Sequence, residues 1–482
     1  MVQEKYKNLI INAFLFAINA FATKFIVFLL VPLYTYYMST EEYGITDMSL
    51  TVVSLITPLA TLSIADAAVR FIIGNRSIES RYAAVSFIVT CISVLVVILT
   101  TPVLDLSIFG GLGNYKVGFV FAYLTSAFLQ FCSEVARGRG EVRLIPFCAV
   151  ISSMITCLCA ILFIGYYNLS IVGYFISVSI GPLAAVVIYF SIGGLGTLVL
   201  SGIRSLVDGC SANGGFVATL RPMLEYSLPL IPNSLFWWIS TSINRFFITA
   251  MIGIGASGLF AAASKLPGLI NTAYSVFQQA WQLSAFQEAK REGLEHFFSQ
   301  VFQALQVIML LLCSLLAFVA PQISSVFLQG KFYDSWPLVT ILLLSNLLNV
   351  FNAFYGTIYT TTMQTAYIMK TTAYGALACM GLTPLLIIPF GVMGACIASC
   401  CGNALVLLLR GLDSRKYLKL NVGLRFLIPS LILIALQAVF AAVQFQNWQF
   451  CSALILIIVF CMSLIRVGIF LRHTKAVTKS FH

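Results

Sequence analysis

The segment LIPFCAVISSMITCLCAILFIGYYNLSIVGYFISVSIGPLAAVVIYFSI (144–192) decides the fold class. It reads as two apolar runs, 144–166 and 169–192, parted by Tyr167 and Asn168, with no charged side chain in either. Each has the ~20 residues that a helix needs to cross a hydrocarbon core. Working outward, the same pattern recurs at 9–31, 45–73, 82–104, 117–136, 228–252, 256–281, 299–320, 336–361, 366–388, 391–410, 425–443 and 449–471. The sequence therefore predicts an all-α polytopic membrane protein with about 14 transmembrane helices. Aromatic residues fall within long runs rather than in alternating segments of about ten, which excludes a β-barrel.

Composition agrees. Of 482 residues, 60% are hydrophobic and 9% charged, with a mean hydropathy of +0.98. A soluble domain carries about 25% charged residues, and 27 basic plus 16 acidic side chains cannot cover so much apolar surface. A cytosolic enzyme, a secreted disulfide domain and a disordered chain are excluded. Lys5 and Lys7 precede a run longer than a signal-peptide core and followed by further spans, so 9–31 is read as the first span rather than a cleaved signal.

The basic residues orient the spans. With the N-terminus in the cytoplasm, 22 of the 27 fall in inward segments, Lys116 and Lys331 face outward, and three lie within spans. This asymmetry obeys the positive-inside rule and puts both termini in the cytoplasm. The net charge of +11 reads as topology and attraction to anionic membrane lipids. With no basic soluble domain, no nucleic-acid partner is expected.

The longest loop, 193–224, is Gly/Ser-rich and inward. It divides the chain into an N-terminal six-helix bundle (1–192), a flexible cytoplasmic linker (193–224), a C-terminal six-helix bundle (225–411), and two extra helices with a tail (412–482). The bundles carry a weak parallel repeat, expected to surround a central cavity: Asn12 aligns with Asn233, Lys24 with Arg245, and Pro58 of span 2 answers Pro267 of span 8. Such internal repeats are common in transporters.

Lys24, Arg245 and Lys265 lie within the expected spans, at one level in the outer half or near the midplane. A mid-bilayer charge costs at least ~2.5–3.5 kcal/mol, so three of them call for a reason. A shared anion-binding cavity is one; snorkelling to the headgroups or pairing with Asp47, Asp66, Glu134 or Glu225, all near span ends, is the other. Phosphate is an anion that Arg recognises in bidentate fashion. Span 10 carries Asn346, Asn349 and Asn352 on one helix face, followed by Tyr355. Amides and aromatic rings suit sugar hydroxyls and faces, while interhelical hydrogen bonding explains the same stripe. Asp66 with Arg70, and Glu134 with Arg137, are candidate gate or coupling pairs; exposed ion pairs of this kind contribute under ~1 kcal/mol.

Most of the 13 cysteines sit inside apolar runs, and the three histidines, His296, His473 and His482, lie in polar segments. The cysteines read as small buried hydrophobes, and no metal or other cofactor is expected. The Gly-rich turn 253–258 follows no strand, which removes a nucleotide reading. Energy must then come from the substrate gradient or from H+ or Na+.

PLYTYYMSTEEYG (32–44), YSLPLIPNSLFWWI (226–239) with NRFFIT (244–249), FQQAWQLSAFQEA (277–289) and ARGRGEV (136–142) resemble the polysaccharide-transporter branch of the multidrug/oligosaccharidyl-lipid/polysaccharide (MOP) exporter superfamily. That branch includes O-antigen and capsule repeat-unit flippases. The resemblance implies translocation of a polyprenyl-diphosphate-linked oligosaccharide across the bacterial cytoplasmic membrane by alternating access. The diphosphate would be held by Lys24, Arg245 and Lys265, with polysaccharide polymerase and chain-length proteins as further candidate partners. The family often has Asp before the span-7 Arg; here Asn244 stands there, so a counter-charge is expected to be missing. A peptidoglycan-precursor flippase and a cation-coupled exporter are the alternatives. Short loops weigh against a membrane polymerase or glycosyltransferase.

Overall fold

The computed structural model of the protein describes residues 26, 28–141, 143–208, 215–288, 293–362, 364 and 366–480. These residues are mostly helical and contain no strand, and 11 helices among them are long and apolar enough to cross a membrane. Large apolar side chains such as Leu99 and Ile388 are 78% and 77% exposed, a surface that only lipid solvates well. The chain divides into two compact units, Met1–Gly258 and Leu259–His482.

In the first unit, α1 (Phe28–Tyr37) is the described end of the expected 9–31 run. It leads into α2 (Thr40–Ala60), whose start is dictated by sequence. The Ser39 hydroxyl accepts the Glu42 N–H at 3.2 Å and the Glu42 carboxylate accepts the Ser39 N–H at 2.8 Å. This capping box satisfies two otherwise orphaned donors. The expected span 45–73 is broken: α2 ends at Ala60 and α3 (Ile64–Gly74) follows. Leu62 and Ser63 between them have φ of 53° and 50°, a left-handed conformation costing ~1–2 kcal/mol per residue without glycine. Pro58 has no N–H for the helical ladder, and Thr57 and Thr61 bond back to the carbonyls of Val53 and Thr57, which loosens the same turn.

The helices α4 (Glu79–Thr100), α5 (Lys116–Arg139), α6 (Leu144–Ala160, continued by a π-helical segment to Tyr166) and α7 (Ser170–Ser191) occupy the expected spans 3 to 6. Within the stretch expected as a linker, α8 (Leu195–Asp208) and α9 (Phe216–Ser227) are helices. Leu195, Val199, Gly202 and Leu206 repeat at helical spacing and are buried, so α8 is amphipathic. Gly202 approaches the Ser80 carbonyl so closely that any Cβ would collide with it, and Arg81 Nε donates to Ser205 Oγ at 2.7 Å. Scattered glycines hide that periodicity in the sequence. α10 (Leu230–Met251) completes the described helices that lie wholly in this unit, and α11 (Ile254–Lys265) begins in it.

The expected span 256–281 is likewise broken, into α11 and α12 (Gly268–Glu288), at Leu266 and Pro267. Spans 2 and 8 are counterparts in the repeat read from the sequence. Interrupted helices at matching places in two halves are a transporter feature associated with substrate sites.

The second unit continues with α13 (Leu294–Phe318), α14 (Ala320–Phe327), α15 (Trp336–Thr361), α16 (Ala366–Phe390), α17 (Val392–Asp413), α18 (Leu424–Ala442) and α19 (Trp448–Ser480). α15 is its most enclosed span. Around it Trp281 stacks on Phe354 at 5.0 Å and Phe302 stacks on Phe354 at 4.8 Å, a ring core that fixes α12 and α13 against α15.

Candidate substrate cavity and its buried ion pair

α2 and α10 run side by side within the first unit. Trp238 of α10 is the pin between them: its indole N–H is shared by the Thr51 carbonyl and Ser54 Oγ of α2, each at 3.1 Å. On one side of this pin lies a cavity of about 470 Å³. Its walls are Ser54, Thr57 and Pro58 of α2, Ser63 and Asp66 at the helix break and in α3, Ser126 and Gln130 of α5, and Asn233, Ser234, Trp237 and Trp238 of α10. Among the described residues the lining is hydroxyl, amide and indole, with one carboxylate and no cation. The volume lies within the range of ligand sites. The strained Ser63 sits in this wall, where backbone strain commonly accompanies function.

On the other side of the pin, Arg245 Nε donates to Asp47 Oδ2 at 2.5 Å, with 15% and 6% of the two side chains exposed. Arg245 stands seven residues after Trp238 and Asp47 seven before Ser54, so at ~1.5 Å per residue the pair lies about 10 Å beyond the cavity's upper wall. By the charge bias of the loops this is the expected outward side. Beyond the pair, Gly44 and Gly258 let backbones touch: a Cβ on Gly44 would strike the Ile254 carbonyl, and one on Gly258 the Thr40 carbonyl. Tyr34, Tyr43 and Tyr174 form a buried ring cluster on the same side, with Tyr34 5.7 Å from Tyr174 and 6.3 Å from Tyr43.

At the opposite, expected inward, end Gln130 is one turn before Glu134, which accepts from Arg137 Nη1 at 2.9 Å. Asp66 lines the cavity together with Gln130 at this end. Asp66 and Arg70 are both exposed and do not pair, so the i, i+4 contact expected between them is not made. The inward cluster is Asp66, Glu134 and Arg137.

The other expected site residues divide. Lys24 lies outside the described residues. Lys265 is partly buried and ends α11, beside the break, in the second unit. Asn346 accepts from Asn271 at 2.9 Å, and Asn352 donates to the Asn403 carbonyl at 3.0 Å, so these two amides tie α15 to α12 and α17. Asn349 is exposed, and Tyr355 is buried edge-on to Phe302 at 5.3 Å.

Two features are not visible in the sequence. The counter-charge expected to be missing beside Arg245 is present: Asp47 supplies it from a helix 198 residues away. Its position near a span end conceals this, although Asp47 is among the available carboxylates. Arg410, counted among inward loop charges, is buried and donates to the Asn352 carbonyl at 2.7 Å and to the Thr371 and Thr372 hydroxyls at 3.0 Å each.

Comparison with known proteins follows the same lines. The family model described as polysaccharide biosynthesis protein matches residues 9–282. Among curated proteins no sequence matches. Among solved structures the chain is similar to the lipid II flippase MurJ in an inward-closed conformation, at 16% identity and a TM-score of 0.68, covering 96% of this chain and 99% of that one. It is similar to an inward-facing multidrug-resistance MATE-family transporter of the MOP superfamily, at 15% identity and a TM-score of 0.64, over 83% and 97% of the two chains. A mutant of the Vibrio cholerae MATE transporter VcmN gives 14% identity and a TM-score of 0.59 over 87% and 97%. These likenesses establish a shared helical membrane fold, and with more than half its length matched by the family model, the chain belongs to the polysaccharide biosynthesis protein family.

Proposed function

We propose that the protein is a flippase that carries a polyprenyl-diphosphate-linked oligosaccharide repeat unit across the bacterial cytoplasmic membrane by alternating access, for surface polysaccharide synthesis. One observation carries the reading: a polar cavity, walled among the described residues by amides, hydroxyls, two tryptophans and one carboxylate and by no cation, is built partly on the two helices that carry the Arg245–Asp47 pair. Sugar rings are recognised by hydroxyl and amide hydrogen bonds and by aromatic faces, whereas a diphosphate needs a guanidinium or ammonium.

In this reading the sugar chain enters beside Asn233, Gln130 and Trp237, and the diphosphate competes with Asp47 for Arg245. Loss of the ion pair then frees α2 from α10 on the outward side. Lys24 and Lys265 are the further cations proposed for the diphosphate. Asp66, Glu134 and Arg137 act at the inward rim. Asn349 is the one amide of the α15 stripe left open to a sugar.

A second reading, a flippase for the lipid-linked peptidoglycan precursor, draws on the likeness to MurJ over nearly the whole chain. The two are separated in cells. Deleting the gene removes surface polysaccharide and leaves growth intact under the first reading. Under the second, the gene rescues a strain depleted of its peptidoglycan-precursor flippase.

A further inference from the structure

The loop between α17 and α18 builds a second, unrelated cavity. Arg415, Lys419, Arg425 and Arg466 line a space of about 590 Å³, with Asn421 and Gly423 between them. None of these four cations makes an ion pair among the described residues, and the carboxylate of Glu295 meets this loop at its backbone, accepting the Lys419 N–H at 2.9 Å. Four like charges around one space repel each other, and a flexible loop would let them part. This loop cannot: Gln303 Nε2 donates to the Asn421 carbonyl at 2.7 Å, Gln306 Nε2 to the Val422 carbonyl at 3.0 Å, and the Asn421 N–H to Ser299 Oγ at 2.9 Å. The strapping to α13 holds the charges together.

Gly423 completes the construction. It has φ of +66° and begins α18, which has no side-chain cap, and the Arg466 guanidinium occupies the space a Cβ would take. Arg466 also lies 5.9 Å from the Phe426 ring centre, so its charge is held in place. Arg425 is in the first turn of α18, and Arg466 is two residues before the end of the apolar part of α19, Trp448–Gly468. The two helices pack together, so both cations stand at one membrane boundary. Leu424 and Ile428 next to them are 48% and 50% exposed.

We infer that this cavity binds the phosphodiester headgroup of an anionic phospholipid, the cations taking the phosphate while the exposed apolar residues of α18 meet the acyl chains. Basic pockets at the ends of transmembrane helices recognise such headgroups, and the apolar flank favours a lipid over free phosphate. The site is independent of the transported substrate.

The test uses the purified full-length protein in neutral detergent. Its thermal unfolding is followed while dioleoylphosphatidylglycerol, dioleoylphosphatidylcholine or inorganic phosphate is added. Phosphatidylglycerol alone raises the midpoint, and Arg425→Gln with Arg466→Gln weakens its apparent affinity about tenfold or more. Lys331→Gln, at a distant loop, leaves it unchanged. Should the double variant not fold, Arg415→Gln and Lys419→Gln, both exposed, serve for the same comparison. Equal response of variant and wild type to phosphatidylglycerol overturns the inference. So does a shift reproduced by phosphatidylcholine, or one given by inorganic phosphate alone.

Discussion

Arg245 and Asp47, 198 residues apart in sequence, meet side chain to side chain with little of either exposed. Removing one partner strands the other charge where little of it reaches water. Breaking a buried pair from one side costs about 3–5 kcal/mol. Arg245→Gln and Asp47→Asn are each expected to lower the unfolding midpoint of the purified protein markedly. The double variant is expected to recover most of the loss. Additive losses in this double-mutant cycle would show that the two side chains do not stabilise each other.

The glycines beyond the pair give a second expectation. A methyl on Gly44 or Gly258 must displace the backbone of Ile254 or Thr40, and overpacking of this kind costs about 1–3 kcal/mol. Gly44→Ala and Gly258→Ala therefore lower the unfolding midpoint of the purified protein. Gly268→Ala, where a Cβ meets no atom within 4 Å, leaves it unchanged.

Trp238→Phe keeps a ring but deletes the N–H shared by Thr51 and Ser54. The lost hydrogen bond is worth about 1 kcal/mol, enough to reduce surface polysaccharide severalfold at unchanged protein level. Trp237→Phe, at a side chain 65% exposed, has a smaller effect on protein stability. A Trp238→Phe strain that exports at the wild-type rate would contradict the pinning role.

Arg410 joins α15, α16 and α17 through two carbonyls and two hydroxyls. Arg410→Met leaves those groups short of a donor inside the bundle and is expected to cost about 2–3 kcal/mol. The measurement is the unfolding midpoint. Export by the protein that does fold should stay near normal, since no part of the candidate cavity involves this residue.

Much of this architecture is legible in the sequence. A helix crossing a membrane must be apolar for nearly its full length, and the segment 144–192 declares two such helices by composition alone. Helix breaks are harder to read. Pro58 and Pro267 mark both interrupted spans, but a proline can kink a helix without breaking it, and the turn through Leu62 and Ser63 depends on backbone strain that no residue type announces. The α8 helix is masked by its glycines, although Leu195, Val199 and Leu206 carry the period.

The candidate site is legible in part. Arg245 stands out because an intramembrane charge demands a reason, yet its partner is set by how α2 packs on α10, which one sequence does not reveal. The asparagines of α15 are open to two readings from spacing alone. In the structure two of the three make hydrogen bonds to Asn271 and Asn403. The sugar-compatible lining comes instead from serines, threonines and amides on four different segments, too scattered along the chain to form a motif.

Reconstitution measures the proposed transport most directly. Purified protein is placed in liposomes carrying a polyprenyl-diphosphate oligosaccharide extracted from the cells that make it, and the fraction reached by an external lectin is followed in time. The expected result is protein-dependent movement of the glycolipid between leaflets, abolished by Arg245→Ala in protein that remains folded. Equal rates in protein-containing and empty liposomes, or undiminished movement with Arg245→Ala, would contradict a flippase that holds its diphosphate at Arg245.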